Sequence, residues 1–120
     1  MIDGLRAIAM TGIKRLIRRR FAEVQTVSTQ TLKRWLDQDP NSVMLWDARS
    51  LEEYAVSHLP NAQLAPLTIA EVRSKGVAQL EQLGSVPIVV YCSVGYRSAR
   101  LIHEIQTLKP VEMYNLEGSL

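Results

Sequence analysis

The run Ile88-Val89-Val90-Tyr91-Cys92, apolar at every position and opened by Pro87, most limits what this chain can fold into. A strand with one wet face alternates apolar and polar residues, whereas a strand without alternation has both faces covered. A second such run, Val43-Met44-Leu45-Trp46, ends at Asp47, and a third strand is expected over Val111-Glu112-Met113-Tyr114-Asn115-Leu116. Helix signals separate them. Ser28 can cap a helix through Leu32, Trp35 and Leu36 that Pro40-Asn41 closes. Ser50 with Glu53, and Thr68 with Glu71, have capping-box spacing, which starts helices at 51–56 and at about 69–82, the second ending before Gly84. A further helix over 98–108 carries Leu101, Ile102, Ile105 and Leu108 on one face and stops at Pro110. Strands alternating with helices imply an α/β fold of three layers, a mainly parallel central sheet with helices on both faces.

A chain of 120 residues suffices for one such core, since folding at this size hides roughly two-thirds of the unfolded surface. The expected division is a basic amphipathic helix or arm over 1–22 and an α/β body over 23–120. Six basic residues against Asp3 give residues 1–20 a charge of +5; eight basic and eleven acidic residues give the remainder −3, which together make the overall +2. The mildly acidic body does not imply nucleic acid. In the arm, Leu5, Ile8, Ala9, Ile13, Leu16 and Ile17 form an apolar stripe opposite Lys14, Arg15 and Arg18, a pattern that suits packing on a domain, contact with a lipid surface, or a targeting segment. No apolar run approaches the ~20 residues that span a bilayer. With Cys92 as the one cysteine and His58 and His103 as the two histidines, disulfide scaffolds and cysteine-based zinc sites are excluded, and a reducing, cytoplasmic setting is expected.

Ligands of parallel sheets sit beyond the carboxyl ends of the strands. There this chain places Cys92-Ser93-Val94-Gly95-Tyr96-Arg97-Ser98, leading into a helix at about Ser98. A short loop before a helix start turns several backbone N–H groups toward one point, making an anion cradle. Gly95 allows the backbone to turn with positive φ, and Arg97 adds a permanent charge. Such a field favours the thiolate, the nucleophilic form of cysteine. Set against this, a lone cysteine ending an apolar strand also fits a small core hydrophobe.

The segment from Cys92 to Ser98 resembles the Cys-x-x-Gly-x-Arg-Ser active-site loop of single-domain rhodanese-like sulfurtransferases. Leu45-Trp46-Asp47-Ala48-Arg49, then Glu53-Tyr54, then Ser57-His58-Leu59-Pro60-Asn61-Ala62 are similar to that family's Asp-Val-Arg, Glu-Tyr and Gly-His-Ile-Pro-Gly-Ala run. Tyr114-Asn115-Leu116-Glu117-Gly118 is similar to the strand leading into Gly-Gly. Ala48, Ser57, Asn61 and Ser119 depart from the pattern, and similar domains continue through a helix beyond the point reached by Leu120.

The resemblance implies a two-step sulfur transfer. Cys92 takes a sulfane sulfur from thiosulfate or a persulfide and passes it to a thiol, cyanide or a protein thiol. The backbone of Ser93, Val94, Gly95, Tyr96, Arg97 and Ser98 holds the substrate, Arg97 attracts an anionic donor, and neither cofactor nor metal is needed. Asp47 and Arg49 at a strand end suit an ion pair supporting the neighbouring loops, and His58 suits a hydrogen-bonded structural role. Glu52 and Glu53 fit first-turn helix charges. Two other functions share this fold: a non-catalytic adaptor, and a phosphatase, whose loop has one more residue between Cys and Arg than the four here.

Overall fold

The computed structural model describes residues 11–13, 15–75 and 80–117. Residues 11–13 and 15–20 are helical. Then follow β1 (Thr26–Val27), α1 (Thr29–Gln38), β2 (Met44–Asp47), α2 (Leu51–Val56), β3 (Gln63–Leu64), α3 (Ile69–Lys75), β4 (Ile88–Tyr91), α4 (Tyr96–Leu108) and β5 (Met113–Leu116). The five strands form one sheet in the order β1-β5-β4-β2-β3, every pairing parallel. The two uninterrupted apolar runs, β2 and β4, lie inside it, as the absence of alternation requires.

Side chains of successive strand residues leave the sheet on opposite faces, and the two cores divide accordingly. Ile88 and Val90 join Trp46, Met113, Val72, Leu101, Ile102 and Ile105 on the α3/α4 side. Val89 and Tyr91 join Leu45, Leu116, Val27 and Leu32 on the α1 side. All four residues of β4 have no exposed surface. At ~1.5–3 kcal/mol for each fully buried large apolar side chain, this strand anchors the domain.

Local signals set most helix ends. Ser28 Oγ accepts from Thr31 N at 3.1 Å, and the Ser50/Glu53 capping box is complete, starting α2 at Leu51 as its spacing predicts. Part of the basic arm lies against the body: Ile17 and Phe21 are buried in the α4-side core beside Val24, and the Phe21 ring meets Tyr96 edge-on at 5.8 Å. Ile13 and Leu16 stay exposed, while Leu5, Ile8 and Ala9 lie outside the described residues.

Three boundaries differ from the sequence expectation. Helix α4 begins at Tyr96, two residues before Ser98, and β5 begins at Met113 rather than Val111, although Val111 is still buried. The helix expected over 69–82 is described to Lys75 and again at Leu80; residues 81–82 form a turn, and 76–79 lie outside the described residues. Strands β1 and β3, two residues each, carry no local signal. No described helix is long and apolar enough to cross a membrane.

Candidate active site

In-register pairing aligns Asp47 with Tyr91, so β2 and β4 end together. From that edge the chain leaves β4 through Cys92 and turns into α4 within four residues. The turn depends on Gly95, which is the N-cap of α4 at φ 90°, in the left-handed region. A Cβ there would stand 3.4 Å from Asn115 Nδ2, an ordinary contact, so it is the backbone angle that calls for glycine.

Cys92 is fully buried, and its sulfur has two hydrogen-bond contacts. Gly95 N–H donates to Sγ at 3.1 Å, and Ser98 Oγ lies 3.3 Å away. Ser98 is buried in the first turn of α4, and its hydroxyl donates to Asn115 Oδ1 at 2.5 Å. Asn115 Nδ2 in turn donates to Gly95 O at 3.0 Å, which fixes the amide's orientation. With the one Ser98 proton given to Asn115, a Ser98 lone pair faces the sulfur and accepts from the thiol S–H. For Ser98 to donate to the sulfur instead, its bond to Asn115 would have to break. Asn115 thus closes a ring joining Cys92, the helix start and β5.

Arg97, expected to attract an anionic donor, pairs with Glu53 in this structure. Its Nη1 and Nη2 donate to Glu53 Oε1 and Oε2 at 2.8 and 3.2 Å, and Nη2 also lies 3.3 Å from Ser93 Oγ. Both side chains remain about two-fifths exposed, 44% for Arg97 and 38% for Glu53. The guanidinium, with help from the Ser50 backbone N–H, holds the Glu53 carboxyl down at about 2. Tyr96 turns its ring toward Phe21, while Val94 is half-buried.

The structure belongs to a known class. The sequence pattern of the Rhodanese-like domain family matches residues 28–120. This chain belongs to that family. Among solved structures it is similar to the human single-domain sulfurtransferase TSTD1 (TM-score 0.65, 23% identity, covering 81% of this chain and 92% of that one). It is similar also to a rhodanese-like domain protein from Staphylococcus aureus (0.62, 24%, 80% and 87%). A third is a protein of unknown function, possible tyrosine phosphatase, from Rhodopseudomonas palustris (0.64, 21%, 89% and 84%). At these identities the likeness is one of fold. No curated protein sequence matches the chain.

Within this rhodanese-like domain, a buried pair ties the ends of β2 and β4 to the segment around Ser57 and Leu59. Arg49 binds Asp47 through its backbone N–H at 2.8 Å and its guanidinium at 2.8–3.1 Å, and extends to Ser57 O at 2.5 Å. Tyr91 OH donates to Asp47 Oδ2 at 3.0 Å and accepts from Leu59 N at 3.0 Å. Burial pushes the Asp47 carboxyl up, but the hydrogen bonds from Arg49 and Tyr91 outweigh it and leave it below the ordinary carboxylate range. Burial likewise pushes the Tyr91 hydroxyl up. His58 is exposed; its Nδ1 is 2.8 Å from Tyr54 O and its ring stacks on Tyr54 at 3.8 Å. Asn61, where the family pattern has glycine, has φ 66°, a conformation asparagine tolerates better than most residues.

Two openings flank α4. One, of about 360 Å³, is walled by Arg49, Ser50, Leu51, Ala65, Thr68 and Arg97. The other, of about 300 Å³ and mostly apolar, lies against Val94, Gly95, Asn115, Ile17, Phe21 and Val24. Neither Asn115 nor the Glu53–Arg97 pair was anticipated from sequence. A buried amide ending a strand is the signal for the first, and the second joins residues 44 apart.

Proposed function

We propose that this rhodanese-like domain is a cytoplasmic sulfurtransferase that carries a sulfane sulfur on Cys92. The observation behind this reading is the focus on Sγ, where a backbone N–H and a hydroxyl converge at the carboxyl end of a buried strand. The N–H, placed at the start of a helix, suits an anionic sulfur. Cys92 thiolate attacks the outer sulfur of the donor, the donor's S–S bond breaks with its electron pair leaving on sulfite or a thiolate, and Cys92 persulfide forms. An acceptor thiolate or cyanide then attacks the outer persulfide sulfur, and the Cys92 thiolate leaves. Cys92 is fully covered in this structure, so the donor must displace whatever covers the sulfur to reach it.

That same burial favours a second reading, an adaptor in which Cys92 is structural. Intact mass after exposure to thiosulfate or to an alkyl persulfide separates the two. Sulfurtransferase chemistry adds one sulfur that a thiol removes, and Cys92→Ser, folded as wild type, loses the addition and at least about a thousandfold in turnover. An unchanged mass with both donors, or near-wild-type turnover in folded Cys92→Ser, overturns the assignment.

A further inference from the structure

Both guanidiniums beside the 360 Å³ opening are held by carboxylates, Arg49 by Asp47 and Arg97 by Glu53. The Glu53 carboxylate is itself held in place. Its Oε1 accepts from Ser50 N–H at 3.2 Å and Ser50 Oγ at 3.0 Å, so swinging away from Arg97 breaks the capping box of α2 as well as the ion pair. A dianion approaching Arg97 therefore meets a cation already matched by a fixed negative charge. Resting on the sulfurtransferase reading, we propose that Glu53 sets donor specificity: by occupying Arg97 it disfavours small dianionic donors such as thiosulfate and favours singly charged sulfane-sulfur carriers, alkyl persulfides and thiosulfonates. Glu53 touches no reacting atom in this account. It acts through Arg97 on the charge that the donor meets.

The consequence is chemical as well as electrostatic. With thiosulfate, Cys92 thiolate takes the outer sulfur and sulfite dianion leaves; with a thiosulfonate, the same attack releases a sulfinate monoanion. Both steps conserve charge and need no further reactant. The first brings two negative charges to the mouth, the second one.

The variant Glu53→Gln tests this. Glutamine keeps an oxygen for the Ser50 contacts but loses the charge. In the Cys92→Ser background, which binds without turnover, calorimetry should show thiosulfate binding about tenfold tighter in Glu53→Gln at low ionic strength, and methanethiosulfonate only about threefold tighter. The gain should shrink as salt rises and disappear in the Glu53→Gln, Arg97→Gln double variant. With Cys92 restored, the change should fall on KM for thiosulfate and leave kcat within about twofold. Without any substitution at Glu53, thiosulfate binding to the Cys92→Ser protein should vary little with salt, because the mouth carries matched charges. Equal gains for both donors, unchanged or weaker thiosulfate binding, or a gain that survives loss of Arg97 would overturn the proposal. If Glu53→Gln discriminates as expected but no Cys92 persulfide ever forms, the sulfurtransferase reading falls and Glu53 remains a selector of anions.

Discussion

Two arginine–carboxylate pairs flank the loop of this domain, and they differ in one respect. Asp47–Arg49 is sealed, with side-chain exposures of 0% and 9%; Glu53–Arg97 is open, at 38% and 44%. Taking two charges out of water is costly, and the buried pair persists because Arg49, Tyr91 and the Arg49 backbone all satisfy the one carboxylate. Breaking it strands a charge in the interior. The open pair is hydrated and screened, so it adds little to stability yet sets the charge a ligand meets. Identical chemistry thus serves as scaffold on one side and as an adjustable surface on the other, and burial makes the difference.

That contrast can be broken most forcefully at Asp47. Asp47→Ala should cost about 3–5 kcal/mol, lowering the melting temperature by more than about 10 °C, because Arg49 is left nine-tenths buried without its partner. A loss below about 1 kcal/mol would mean that the sealed pair is no more structural than the open one. Tyr91→Phe removes the hydroxyl that joins Asp47 to Leu59 N, and should cost about 1–2 kcal/mol in urea unfolding. The smallest effect is expected at the open pair, and pH reveals it. Glu53 is held at about 2 against its ordinary 4.5, so its pairing stabilises the fold above pH 4.5 and is lost as pH falls toward 2. Asp47, also lowered, fades in the same direction. Glu53→Gln should lower the neutral-pH urea midpoint slightly, converge with the wild type near pH 2 and so flatten the decline between pH 4.5 and 2; an unaltered decline would show that the open pair contributes nothing.

A second contrast, between local and distant partners, explains what could be read from the sequence. Helix α2 begins at Leu51 because Ser50 and Glu53 satisfy each other three residues apart, and β4 runs over Ile88–Tyr91 because its residues are apolar on both faces. These are short-range statements. Strands β1 and β3 exist only through their pairing with Asn115–Leu116 and Trp46–Asp47, so no window around them announces a strand. Helix α4 was placed two residues late for a related reason. Ser98 is a good capping residue, but its hydroxyl serves Cys92 and Asn115 instead, and Gly95 caps through its left-handed backbone. Glu53 fits a first-turn charge and is one; its second partner lies 44 residues away. The 92–98 segment is legible as a loop between a strand and a helix, while the groups that contact it, Asn115 and Glu53, belong to tertiary structure.

The pairing of β1 with β5 has a consequence for how the protein is made. Thr26–Val27 must wait for Asn115–Leu116 before either edge is joined, and Asn115 is also the residue that ties Ser98 and Gly95 around the cysteine. A chain growing on the ribosome can form β2, α2 and the β2–β4 contact early, but it holds a thiol whose surrounding network is incomplete until nearly the whole domain has emerged. Long-range parallel pairing is slow to form. Cys92 therefore gains its full hydrogen-bonded surroundings only once β5 has joined the sheet.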